Sequence, residues 1–466
     1  MTFFTSRFTF IRDALNGTGG FRPNITYDSA GKPIKAENTY LIQYPRESAE
    51  RFARRNQVSW FTRDMMNACE RFVGYLTKQP PVREVNSPLL RLILDDCDWR
   101  GNSLEVFFQS FAVEAKARGT MLLLIDMPRT ENIPGNQAEQ LGNRAVPYLV
   151  QIPPERVFDY ELNERGRLSS ISIHDYMLID GKQEIVRRIW TNTDWKIERI
   201  VSAAGKESTT VVDSGVHNLG VCPVIYFSES GEFMGEGGFS EIADLSKALF
   251  NRRSELDEIL RSQTFSLMHY HVPIDMAGTF DAAKVSEAVG THNMLLHYGN
   301  APGFIAPSEG PASTYAAVID ALVLRIREVS MSFETPDYKE SGAALTIRFQ
   351  SLNGALTKFA RRMEDFERQM WDIAARWLNV EANASTRWPR EYAIANPERE
   401  MSVLENMQST GFPDAVIRAK KRAIIGLEFT TVEPDDLSEL INAVNESEHD
   451  RGNDNADNVP DISESA

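Results

Sequence analysis

Between Ser341 and Asn379 apolar residues recur more regularly than anywhere else in the chain. Leu345, Phe349, Leu352, Leu356, Phe359, Met363, Phe366, Met370, Ile373 and Trp377 follow one another at alternating intervals of four and three. This is an unbroken a/d seam over about five heptads, and it predicts a helix of roughly 58 Å. A parallel two-stranded coil would set β-branched residues against Leu, whereas this seam is built from Leu, Phe, Met and Trp. The helix is therefore expected to pack in a groove of its own fold or of a neighbour, with Gly354 as a point where it can bend.

Upstream, the pattern divides the chain in two. Residues 1–40 are polar and rich in turn residues, and read as an extended arm. Ser48–Thr77 has helical periodicity, interrupted near Asn56 and stopped by Pro80-Pro81. Ser103–Arg118 reads as a second helix closed by Gly119. Met121–Asp126 is a short continuous apolar run expected to be a buried strand. Further strands are expected at Tyr148–Ile152, Ile171–Leu178, Ile185–Trp190, Trp195–Val201 and Pro223–Phe227, with Asp180-Gly181 as a hairpin turn.

Past Gly231–Gly238, which reads as a flexible joint, long helices take over. Ser240 to about Met268 carries Ile242, Leu245, Leu249, Leu256, Ile259 and Leu260 on one face, and Ser313–Met331 carries Tyr315, Val318, Leu322, Ile326 and Val329. Between them lie short strand-like runs and one short helix at 281–289. Pro397–Val444 reads as three short helices, the first two separated by Ser409–Pro413. The tail from Glu446 has almost no apolar residues and is expected to be disordered. The class is α+β, mainly α.

Charge narrows the functions this architecture can serve. The net charge is −16, of which the tail 446–466 supplies −6, leaving −10 on the body. A protein that grips duplex DNA normally carries a basic stripe, because affinity comes from neutralising phosphates. An acidic body disfavours gripping but leaves open a protein that DNA passes without adhering. The N-terminus lacks the basic-then-apolar order of a signal peptide, and no window is apolar enough for a membrane span, so the chain is expected to work where it is made.

Candidate chemistry is sparse. Cys69, Cys97 and Cys222 are far apart and read as buried free thiols. The glycine cluster Gly231–Gly238 has no Lys-Ser/Thr to reach a phosphate, and two glutamates that would repel one. His269-Tyr270-His271 places two imidazoles on one strand face with no third ligand nearby, and Asp95-Asp96 with Asp98 reads as a solvated helix end. No catalytic residue, metal site or cofactor is expected.

The order of elements resembles the portal, or head–tail connector, family of tailed double-stranded DNA bacteriophages. Local phrases carry the likeness: Tyr40-Leu41, Tyr44–Arg51 and Val73–Leu76 with Pro80-Pro81; Gly119–Asp126 followed by Pro147–Val150 and Ile152–Val157; and Glu340–Leu345. The resemblance covers about residues 38–445. It implies a dodecameric ring with wing (1–237), stem helix (238–268), clip (269–310), returning stem helix (311–331), channel loop (332–340), long wing helix (341–379) and crown (380–445).

The resemblance further implies a virion protein at one capsid vertex, assembled in the host cytoplasm and without a membrane. DNA would enter and leave through its channel without sequence specificity. Implied partners are further copies of itself, the terminase large subunit, major capsid and scaffold proteins, and a head–tail adaptor. Phe333, Glu334, Asp337, Tyr338, Lys339 and Glu340 would form the channel loop, with Lys339 and Arg348 as DNA contacts. His271, Ile274, Met294, Leu296, Phe304 and Ile305 would face the clip interface. Two readings compete: another non-enzymatic head-assembly or minor capsid protein, and a metal-dependent DNA-processing enzyme using Asp95 and Asp98.

Overall fold

Short helices and small sheets alternate through the first half of the chain, and long helices follow. The computed structural model describes residues 2–128, 145–179, 181–203, 206–264, 267–269, 303–305, 310–331, 342–390, 392, 397–428 and 440. Met1–Glu391 make one unit and Tyr392–Ala466 a second.

The first unit opens with helix α1 (Thr2–Asn16), the hairpin β1 (Asn24–Tyr27) and β2 (Pro33–Glu37), and helices α2 (Ala49–Val58) and α3 (Asp64–Leu76). Strand β3 (Val82–Val85), helix α4 (Pro88–Asp95) and helix α5 (Leu104–Arg118) come next. The Ser103 hydroxyl caps α5 by accepting from the Val106 N–H, and Gly119 closes it at φ +82°.

Strands β4 (Thr120–Asp126) and β5 (Tyr148–Ile152) lead into a five-strand meander. It runs through β6 (Val157–Leu162), β7 (Leu168–Ile179), β8 (Lys182–Thr191), β9 (Asp194–Ala203) and β10 (Lys206–Val216), all antiparallel. Ile179 pairs with Lys182 across a two-residue turn whose Gly181 has φ +74°. Strand β11 (Val224–Ser228) then returns to pair with β4, giving a three-stranded sheet in the order β11-β4-β5.

Helix α6 (Ser240–Thr264), the paired strands β12 (Leu267–His269) and β13 (Gly303–Ile305), and helix α7 (Gly310–Val329) come next. Helix α8 (Gly342–Leu378) and strand β14 (Ala384–Arg387), antiparallel to β3, complete the first unit, so the division between the units falls after Glu391. In the second unit, α9 (Pro397–Ser409) and α10 (Asp414–Glu428) are joined by a turn with Gly411 at φ +73°. The third helix read in this region falls where Leu440 alone is described, and the acidic tail lies outside the described residues.

The core of the first unit sits where α8 crosses α3, α5 and the three-stranded sheet. Phe366 stacks on Phe111 at 5.0 Å and meets Phe227 at 6.1 Å, and Phe359 lies 4.9 Å from Phe227 and 5.6 Å from Phe72. Burying each such ring stabilises the fold by about 1.5–3 kcal/mol relative to exposure. Two charges are sealed into this core. Lys116 donates to Glu229 at 2.6 Å, with its ammonium 4.4 Å from the Phe72 ring and 4.2 Å from Phe239. Glu367 is fully buried and accepts from Arg83 at 2.8 and 3.0 Å, from the Thr386 hydroxyl and from the Trp388 indole, which ties α8 to β3 and β14.

Three sequence expectations are corrected. Residues 1–40 are not an extended arm: α1 buries Phe8, Ile11 and Leu15, and Arg7 holds Glu236 and Asp244 at 3.0 and 2.7 Å. Thr9, Arg12 and Asp13 between those residues masked its apolar stripe. The interruption between α2 and α3 falls at Ser59–Arg63 instead of Asn56, which lies inside α2 and donates to the Phe52 carbonyl.

The third concerns Gly231–Gly238, which is pinned in place and is not a flexible joint. Gly237 N–H donates to the Arg118 carbonyl, the Thr120 hydroxyl to that of Gly235, and Ser228 to that of Glu232. The backbones of Gly119 and Gly237 cross so closely that a Cβ on Gly119 would stand 1.9 Å from Gly237 N. Glycine serves close approach here as well as the positive φ of Gly119. Strands β6 and β10 also went unread, their apolar residues being too few or too interspersed to signal a strand.

Candidate functional site

Helices α6 and α7 lie antiparallel, and an ion pair and a cation–π contact fix the register. Arg325 near the end of α7 pairs with Glu241 at the start of α6 at 3.0 Å, and the Arg252 guanidinium sits 6.0 Å from the Tyr315 ring. The first half of α6 is buried in the first unit: Ile242, Ala243, Leu249 and Phe250 are sealed, and Asn251 bridges the backbone of Tyr40 and Ile42. Arg55, also buried, ties the same region together by clasping Glu47 at 2.9 Å and donating to Ser254 on α6.

Helix α7 is different. Ala, Val, Leu and Ile occur around its whole circumference, yet Ile326 is its one buried residue. Val318 is 41% and Leu324 52% exposed, with Ala316, Ala317 and Ala321 on the same outer side, and Leu260 of α6 is 46% exposed. Asp320, Arg325 and Glu328 share that outer side, and the apolar patch between them is the kind of exposed surface that a protein neighbour covers. Of the stripe read for α7, Tyr315, Leu322 and Val329 are half-buried, Ile326 is buried, and Val318 points outward. The outer alanines and Leu324 were missed. The available signal was the near absence of charge from Gly310 to Ile319, which leaves no polar face.

The other predicted positions fall as follows. On α8, Leu352, Leu356, Phe359, Met363, Phe366, Met370 and Ile373 are buried, and the Trp377 indole donates to the Ile125 carbonyl at 2.8 Å. Phe349 is half-buried, and Leu345 and Arg348 lie on the first turns of α8. Phe333, Glu334, Asp337, Tyr338, Lys339 and Glu340 lie outside the described residues, as do His271, Ile274, Met294 and Leu296. Phe304 and Ile305 belong to β13, opposite Met268 and Leu267.

Chemistry is thin at the positions singled out for it. Asp98 accepts from the Arg100 and Asn102 N–H groups and the Asn102 amide, and Asp96 accepts from Gly101 N–H. These bonds close a turn after α4. Burial acts to raise the Asp98 pKa, and the hydrogen bonds from Asn102 and Arg100 outweigh it, leaving the carboxyl below its ordinary value. Among the described residues no three His, Cys, Asp or Glu side chains converge as metal ligands, and no helix is long and apolar enough to cross a membrane. Cys69, Cys97 and Cys222 are buried and free, and burial pushes the thiols of Cys97 and Cys222 up to about 12.

No family model and no curated protein sequence matches the chain. Among solved structures the chain is similar to a component of the virion of a native gene transfer agent particle, with TM-score 0.39 and 11% identity over 75% of this chain and 87% of that one. It is likewise similar to a chain in the neck of the native particle computed with C12 symmetry, with TM-score 0.42 and 12% identity over 76% and 89%. A chain in the neck of the empty particle computed with C6 symmetry gives TM-score 0.38 and 12% identity over 78% and 89%.

Proposed function

We propose that the chain is the subunit of a ring, the portal at one vertex of a phage-like capsid, and that it acts as an assembly part and DNA conduit instead of a catalyst. The observation that carries this reading is the outer side of α7, where Ala317, Val318, Ala321 and Leu324 are left exposed by their own chain, beside Asp320, Arg325 and Glu328. Repeating one subunit around a closed axis sets this face against a different face of the next copy. The acidic body supports the conduit, since attraction at many phosphates would hold DNA in place. In this reading terminase and, later, a head–tail adaptor dock at the clip.

Negative-stain imaging of the purified full-length protein tests it. Closed rings with a central hole of duplex width are expected. Monodisperse monomers at every concentration and salt would overturn the reading.

A further inference from the structure

Strand β11 is an edge of its sheet, paired with β4 alone. The Ile125 N–H donates to the Pro223 carbonyl at 3.0 Å and the Glu229 N–H to the Gly119 carbonyl at 2.8 Å. In an antiparallel ladder this phase turns residues 223, 225, 227 and 229 toward β4. The N–H and C=O of Tyr226 and Ser228 are thereby directed to the other side.

A groove runs along that open side. One wall is the flank of α8, where Arg362, Asp365, Gln369, Asp372 and Arg376 recur at intervals of three and four. Facing it is the β6–β7 turn with Arg165 and Arg167, held by the Tyr226 hydroxyl donating to the Gly166 carbonyl at 2.8 Å. The groove has a volume of 310 Å³ toward Arg362 and 130 Å³ toward Arg376. Arg362 to Arg376 spans roughly 21 Å of helix, about the length of six residues of extended chain.

The groove is basic in an acidic protein. Arg368 is paired with Asp365 at 2.6 Å and Arg376 donates to the Leu219 carbonyl, but among the described residues Arg167 and Arg362 have no carboxylate partner. We propose that this groove is a docking site for an extended peptide strand of a partner protein, one that adds to the β11 edge and presents acidic side chains to Arg165, Arg167 and Arg362. A strand edge matches the alternating donors and acceptors of a peptide, whereas a phosphate chain has no N–H to give it. The arginines select acidic over basic sequences by charge.

The test is fluorescence anisotropy of the full-length protein with a labelled heptapeptide, Thr-Glu-Val-Glu-Val-Glu-Thr. Binding is expected, with a loss of about tenfold or more on reversing Arg167 and Arg362 together (Arg167→Glu, Arg362→Glu), since charge-assisted contacts are removed and repulsion added. N-methylating the peptide on alternate amides should abolish binding in one register and spare it in the other, which needs no change to the protein. The proposal is overturned by absence of binding at millimolar peptide, by equal binding of the Lys-for-Glu peptide, by indifference to N-methylation in both registers, or by full displacement with oligothymidylate. The groove lies within one chain, so failure of ring formation would leave a positive result standing.

Discussion

Helices α7 and α8 are both long and both rich in apolar residues, yet they are used in opposite ways. Helix α8 confines its apolar residues to one seam, and its own chain covers that seam with Phe72, Phe108, Phe111 and Phe227. Helix α7 spreads smaller apolar residues around its axis and finds cover on one side only, against α6. The difference shows how the width of an apolar surface separates two tasks. A narrow stripe is satisfied by one groove, and apolar residues that lie beyond it need a second covering surface.

The comparison breaks most sharply at Phe366. Phe366→Asp places a carboxylate among Phe108, Phe111 and Phe227, and loss of the folded state is expected, read as loss of the near-UV circular dichroism signal. Next comes Glu367→Ala, which leaves the buried Arg83 guanidinium without its partner and should cost about 3–5 kcal/mol in denaturant unfolding.

A smaller effect is expected at the far end of α8, where His217 is buried 5.7 Å from Trp377 and 6.1 Å from Trp190. Burial holds its pKa below the ordinary 6.5, against the opposing influence of the Thr191 backbone, Asp194 and Asp126. The unfolded chain therefore binds a proton that the folded chain refuses. Stability is full above the unfolded pKa and falls as pH drops below it toward the folded value. Melting temperatures from about pH 7.5 to about pH 5 should fall less steeply in His217→Phe than in the parent; equal slopes would exclude this role.

The smallest change in fold stability is expected on α7. Val318→Glu with Leu324→Glu should leave the unfolding free energy of the chain within about 0.5 kcal/mol per site, because both side chains are exposed. The same pair should abolish ring formation, seen as a shift to monomer in sedimentation. Rings that persist in this variant would remove α7 from the interface.

Several elements were legible because local rules decide them. The a/d spacing of α8 survives any tertiary context, the Ser103 and Gly119 signals bracket α5 within single turns of backbone, and Gly181 sits in the turn between β7 and β8. What failed to read was settled at a distance. Helix α1 is held by Glu236 and Asp244, far along the chain, and the glycine segment 231–238 is fixed because Gly237 must pass against Gly119. The β11 groove was invisible for the same reason: Arg165, Tyr226 and Arg362 belong to three separate stretches.

The sequence by itself determined the long helices α6, α7 and α8 and the apolar residues they carry, because periodicity and capping act over a few residues. Only the tertiary structure decided which of those residues the chain covers for itself. That choice depends on which distant side chains arrive at each face, so it left α8 enclosed, α7 bare on its outer side and one edge of β11 open between two basic walls.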